Sequence, residues 1–139
     1  MTVPSDRQVI EAVDLLAPRA VDLLQALVRT PSLTGSESAA QQIVAAAMRE
    51  FALEVDVWEP VAADLAPYAE HVGAFETFAG RPNVVGAWRG SGSGRSMILN
   101  GHIDSVEPGA RDQWQVDPFS AEIIDGRVYG RGSLDMKAG

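Results

Sequence analysis

Residues with chemistry to offer gather in the last third of the chain. The largely apolar run Ser96-Met97-Ile98-Leu99 leads directly into Asn100, Gly101, His102, Ile103 and Asp104. In an extended backbone the side chains of residues i and i+2 leave on the same side, so the Asp104 carboxylate falls beside the His102 ring. A carboxylate that accepts one ring N–H fixes the tautomer and leaves the other nitrogen able to bind a metal. The end of a buried strand in an α/β sheet is also where ligands tend to bind. The local pattern has a plainer reading, a packed polar histidine beside a turn-forming aspartate, and taken alone it favours that one. A further carboxylate, Asp135, lies in the glycine-rich stretch GRVYGRGSLDMKAG from Gly126 to Gly139. Glycines there permit close backbone approach around a fixed side chain. An isolated Asp in such a stretch reads more simply as a tight turn before a helix starting near Met136.

Composition narrows the chemistry. The 139 residues include no Cys, which removes disulfide scaffolds and thiolate metal sites and leaves His, Asp and Glu as the available metal ligands. Eleven basic against nineteen acidic side chains give a formal charge of −8, and the pI is near 4.6. That balance argues against nucleic-acid and anionic-membrane partners, both of which reward basic surfaces. No stretch approaches the ~18 uninterrupted apolar residues of a membrane span, and Ser5, Asp6, Arg7 and Gln8 do not resemble a signal peptide. A cytoplasmic protein with one domain is the expectation.

The elements that must position these groups read as α/β. Ser5 and Gln8 have capping-box spacing ahead of a helical stripe of Val9, Val13, Leu16, Ala20, Leu24 and Val28. Pro18 either kinks this helix or opens a second one. After a turn over Thr30 to Gly35, Ser36 or Ser38 can cap a second helix with a buried stripe of Ala40, Ile43, Ala47 and Phe51. Leu53 to Trp58 alternates as a strand, and Glu59 to Pro82 is a long excursion with room for a short helix. Asn83 to Trp88 and Ser96 to Leu99 read as a hairpin across the glycine-serine stretch Gly90 to Gly94. That stretch lacks the Gly-Lys-Ser/Thr ending of a phosphate loop and leads into a strand, so a phosphate-binding role has little support. A second hairpin runs from Ala121 to Tyr129 through the Asp125-Gly126 turn.

Three motifs in order, ILNGHIDSV, DQWQVDPFSAEI and DGRVYGRGSLDMKAG, are together far more specific than any lone histidine. They resemble the acetylornithine deacetylase, succinyl-diaminopimelate desuccinylase, aminoacylase and carboxypeptidase G family of di-zinc hydrolases. Thr30 to Gly35 and Pro82 to Gly86 are similar to the family's first region, and the resemblance is weakest between Glu59 and Arg81. It implies a zinc-exopeptidase-like catalytic domain, a mixed sheet flanked by helices.

The resemblance also implies roles. His102 matches a zinc ligand, Asp104 the acid that clamps its ring, and Asp135 the carboxylate that bridges two zinc ions. Two cations roughly 3.5–4 Å apart need a shared anionic ligand. The reaction implied is hydrolysis of an amide bond in an N-acyl amino acid or small peptide. The family's general-base glutamate and its remaining ligands lie beyond the Asp-Met-Lys motif. Residues 1–139 are therefore expected to be the N-terminal part of a metallohydrolase catalytic domain, inactive alone, from a protein that is homodimeric when complete. Cobalt or manganese could replace zinc in such a site. The alternative is a catalytically inactive remnant that binds a metal or a partner. The second histidine, His71, reads as a solvated surface residue. Trp114, Asp117, Pro118 and Phe119 read as packing, and Arg131 and Lys137 receive no role.

Overall fold

The computed structural model describes residues 3–72 and 77–139. It mixes helices with small antiparallel sheets, the expected α/β class. Helix α1 (Asp6–Arg29) begins at the capping box: the Gln8 N–H donates to Ser5 Oγ, and the Ser5 N–H donates to Gln8 Oε1 at 2.9 Å. It continues through Pro18 as one helix of 24 residues. Its first four turns are exposed, Val9, Val13 and Leu16 included, and burial starts only at its C-terminal end with Leu27 and Val28.

Helix α2 (Ser38–Glu50) is preceded by Glu37, not by a serine cap as the sequence suggests. The Glu37 carboxylate accepts the Gly35 N–H at 2.8 Å and a forked pair of bonds from Arg81. A charged, buried partner thus takes the place where Ser36 or Ser38 would offer one weak acceptor. Helix α2 buries Ala40 and Ala45, while Ile43 and Ala47 are half-buried and Phe51 is exposed. It packs on a two-stranded antiparallel sheet of β1 (Glu54–Trp58) and β2 (Asn83–Ala87), in register from Glu54 opposite Ala87 to Trp58 opposite Asn83. Gly86 permits this approach, since a Cβ there would lie 2.6 Å from Leu53 Cδ2 and 2.8 Å from Met48 Sδ. The excursion between the strands holds two short helices, α3 (Ala62–Leu65) and α4 (Ala69–Val72), joined by a 3₁₀ turn.

The hairpin expected between Asn83 to Trp88 and Ser96 to Leu99 does not form. Strand β2 pairs with β1, and Met97, Ile98 and Leu99 remain 80–89% exposed outside any strand. The glycine-serine linker fixes no turn type and hence no register. The second hairpin does form: β3 (Glu122–Ile124) pairs with β4 (Arg127–Tyr129) across Asp125 and Gly126, both at positive φ as a tight hairpin turn requires. Residues after Asp135 make turns, with no helix at Met136. Buried residues concentrate around the C-terminus of α1, the 32–37 turn and Ser105, where Ala121 and Lys137, on either side of the β3–β4 hairpin, both bond to α1. Among the described residues no helix is long and apolar enough to cross a membrane.

Candidate metal centre

The site is assembled from the end of α1 outward. Thr30 leaves the helix with extended torsions, and Pro31 cannot continue it. The chain then runs alongside residues 103–105, with Leu33 and Ser105 joined by an isolated parallel bridge. Ser32, fully buried, donates its hydroxyl to the Ile103 carbonyl at 2.7 Å and accepts the Ser105 N–H at 2.8 Å through its own carbonyl. This clasp brings the Thr34 hydroxyl to Asp104, where Oγ1 donates to Oδ2 at 2.7 Å.

The other Asp104 oxygen, Oδ1, lies 3.1 Å from His102 Nδ1, and the Asp104 carbonyl oxygen is equally close. Both neighbours of Nδ1 are acceptors, and so is Asp135 Oδ1 beside Nε2, so a ring bonded to all of them carries a hydrogen on each nitrogen. On the far side of the ring, Nε2 lies 3.0 Å from Asp135 Oδ1, across 33 residues of sequence. The structure therefore gathers His102, Asp104 and Asp135, the three residues singled out in the sequence, into one line.

Asp135 is held by the loop around it. Arg131 N–H donates to the Pro118 carbonyl, and the Lys137 N–H to the Gly132 carbonyl. The Asp135–Met136 peptide is cis. Lys137 is buried, and its ammonium donates to the carbonyls of Leu27 at 2.7 Å and Thr30 at 3.1 Å, tying this loop to the end of α1. Neither Thr34 nor Lys137 gave a local signal, because their partners lie 70 and 107–110 residues away.

Burial opposes charge on His102, but the hydrogen bond to Asp135, the Asp104 carbonyl and the two carboxylate charges outweigh it and raise the ring's pKa. An imidazole nitrogen beside a carboxylate oxygen is a donor pair that zinc accepts. A cleft of about 300 Å³ opens beside His102 and Asp135, walled by Val106 and residues 130–134. A second, of about 470 Å³, lies against His102 and Asp104 and is lined by Trp58, Phe78 and Arg81. His102 is half exposed and Asp135 86% exposed, so both remain accessible to a ligand. Among the described residues no group of three or more His, Asp or Glu converges as a complete metal cage. His71 is exposed on α4 beside Glu70.

The remaining motif residues pack the loops. Trp114 Nε1 donates to the Pro108 carbonyl at 2.8 Å, with the Arg131 guanidinium 5.1 Å from its ring centre. Asp117 accepts the Phe119 N–H, and Pro118 is buried.

Residues 98–139 match the profile of "Peptidase family M20/M25/M40". The chain is 34% identical over 123 residues to a succinyl-diaminopimelate desuccinylase of Methylocella silvestris, covering 88% of this chain and 28% of that protein. It is 35% identical over 131 residues to succinyl-diaminopimelate desuccinylase 2 of a Ruegeria species, covering 90% of this chain and 29% of the relative. A third desuccinylase, from Methylorubrum populi, is 35% identical over 118 residues, 84% of this chain and 26% of that protein. The chain thus spans under a third of the length of these relatives.

Proposed function

We propose, from the premise that residues 98–139 belong to peptidase family M20/M25/M40, that this chain supplies the N-terminal part of a metal-dependent amide hydrolase. In this reading His102 and Asp135 would hold a divalent metal, Asp104 orients the His102 ring, and ligands outside these 139 residues would complete the set. The observation that carries the reading is the 3.0 Å approach of Nε2 to Asp135 while Nδ1 is held by Asp104. One imidazole and one carboxylate suit zinc, with cobalt or manganese as substitutes. The Asp135 carboxylate is 86% exposed, so its second oxygen is open to a ligand, and a bridging role between two zinc ions would use it. Such a centre supplies Lewis acidity and a bound water of lowered pKa.

The chain's own residues do the positioning. With a metal at Nε2 in place of a proton, Asp104 would hold the remaining hydrogen on Nδ1 and leave the Nε2 lone pair to the metal. Lys137 fixes the loop that presents Asp135. The substrates proposed are N-acyl amino acids, N-succinyl ones foremost because the relatives are named desuccinylases, and small peptides. The charge of −8 disfavours nucleic acid and an anionic membrane as partners. The form carried by this reading is a cytoplasmic homodimer.

The test is hydrolysis of N-succinyl and N-acetyl amino acids by the complete polypeptide, with zinc and after chelation. Turnover that requires metal and is lost in His102→Ala and Asp135→Ala is expected. Turnover indifferent to chelation and to both substitutions would exclude this site as the catalytic one. A non-catalytic metal- or partner-binding chain is the second reading. Zinc bound through His102 without any hydrolysis would select it.

A further inference from the structure

We propose that Thr34 is a positioning residue for the metal centre, acting through Asp104 to fix the tautomer of His102. This rests on the reading above. A carboxylate beside an imidazole can rotate about its Cβ–Cγ bond and present either oxygen, or leave the ring for solvent. Asp104 is one-third exposed, so water competes for it. Here the two oxygens are divided: Thr34 Oγ1 donates to Oδ2 at 2.7 Å, and Oδ1 is left for His102 Nδ1 at 3.1 Å. A hydroxyl can make that bond and a methyl cannot.

The placement of Thr34 is built into the fold. Two residues earlier, buried Ser32 is bonded in both directions to the segment that carries His102, through the Ile103 carbonyl and the Ser105 N–H. The Ser32 bonds and the Leu33–Ser105 bridge hold this segment against residues 103–105, and that register delivers Thr34, at the start of the turn that follows, to Asp104. Ser32 holds the backbone, and Thr34 holds the carboxylate.

Valine matches threonine in shape and removes only the hydroxyl, so the variants are Thr34→Val and Thr34→Ser in the full 139-residue chain. With only two histidines present, ¹⁵N-labelled imidazoles are resolved and assigned by His71→Gln. Two quantities are read: the share of the Nδ1–H tautomer of neutral His102 without metal, and the Kd for zinc by calorimetry. Thr34→Val is expected to lower the tautomer share and weaken zinc about 3–10-fold, less than the ~10–100-fold typical when a ligand's direct partner is lost. Thr34→Ser restores both. In an Asp104→Asn background, Thr34→Val has no further effect. Unchanged tautomer and Kd in Thr34→Val, or a Thr34→Ser variant as impaired as Thr34→Val, would overturn the proposal. If the valine variant unfolds, Thr34→Ala carries the same comparison. A wild-type chain that binds no zinc is compatible with a ligand set completed outside these residues, and the tautomer share then decides the role of Thr34 by itself.

Discussion

Lys137→Met removes the tie between the Asp135 loop and the end of α1 while keeping most of the side-chain volume. The ammonium is buried and donates to two carbonyls at the C-terminus of a helix, where a positive charge also meets the helix dipole. Two charge-assisted bonds contribute about 3–6 kcal/mol gross. Much of this is offset, since burying an ammonium costs several kcal/mol, and that cost is what lowers the Lys137 pKa. The remainder depends on the carbonyls left behind. Leu27 O still accepts the Thr30 N–H at 3.3 Å. Thr30 O has no other partner among the described residues. One orphaned acceptor costs roughly 1–3 kcal/mol, so a net loss of about 2 kcal/mol is expected. Urea unfolding measures it as a lower midpoint at unchanged slope. Stability within about 0.5 kcal/mol of wild type, the range of an ordinary surface substitution, would refute the claim that Lys137 is a structural tie.

Asp104→Asn should retain zinc with roughly 10–100-fold weaker affinity, because the ring loses its charged partner but keeps Nε2; calorimetry checks this, and unchanged affinity would contradict the clamp. Glu37 gives a pH dependence. Burial pushes its carboxyl up, but the bonds from Arg81 and the Gly35 N–H hold the folded pKa below the ordinary 4.5. Its contribution to stability is therefore full above pH 4.5 and is lost as pH falls through the lowered folded value. Glu37→Gln should be about 2 kcal/mol less stable at pH 7 and show a shallower acid loss in urea melts taken from pH 7 to 3. Gly130→Ala would drive a methyl into Val28 Cγ1 and to 3.1 Å from the Pro118 carbonyl, costing roughly 1–3 kcal/mol by thermal or urea unfolding.

The parts legible in the sequence are those with local causes. The Ser5–Gln8 box and the Asp125-Gly126 turn each involve neighbours a few residues apart, and both stand in the structure. The i, i+2 spacing of His102 and Asp104 likewise places their contact correctly even though residues 101–104 form no regular strand. Non-local choices were not legible. Strand β2 takes β1 as its partner across a 24-residue excursion, where the sequence offered a nearer candidate in Ser96 to Leu99. Pro18 allowed two outcomes, and one continuous helix is the result. Glu37, Thr34 and Lys137 owe their roles to Arg81, Asp104 and the carbonyls of α1, contacts that no periodicity reports.

The most direct measurement is zinc titration of the ¹⁵N-histidine-labelled chain, following each ring nitrogen. The site geometry predicts a large shift at Nε2 of His102, a retained proton on its Nδ1, no response from His71, and loss of binding in Asp135→Ala. Zinc attached to Nδ1 or to His71, or binding indifferent to Asp135→Ala, would contradict a centre shared by His102 and Asp135.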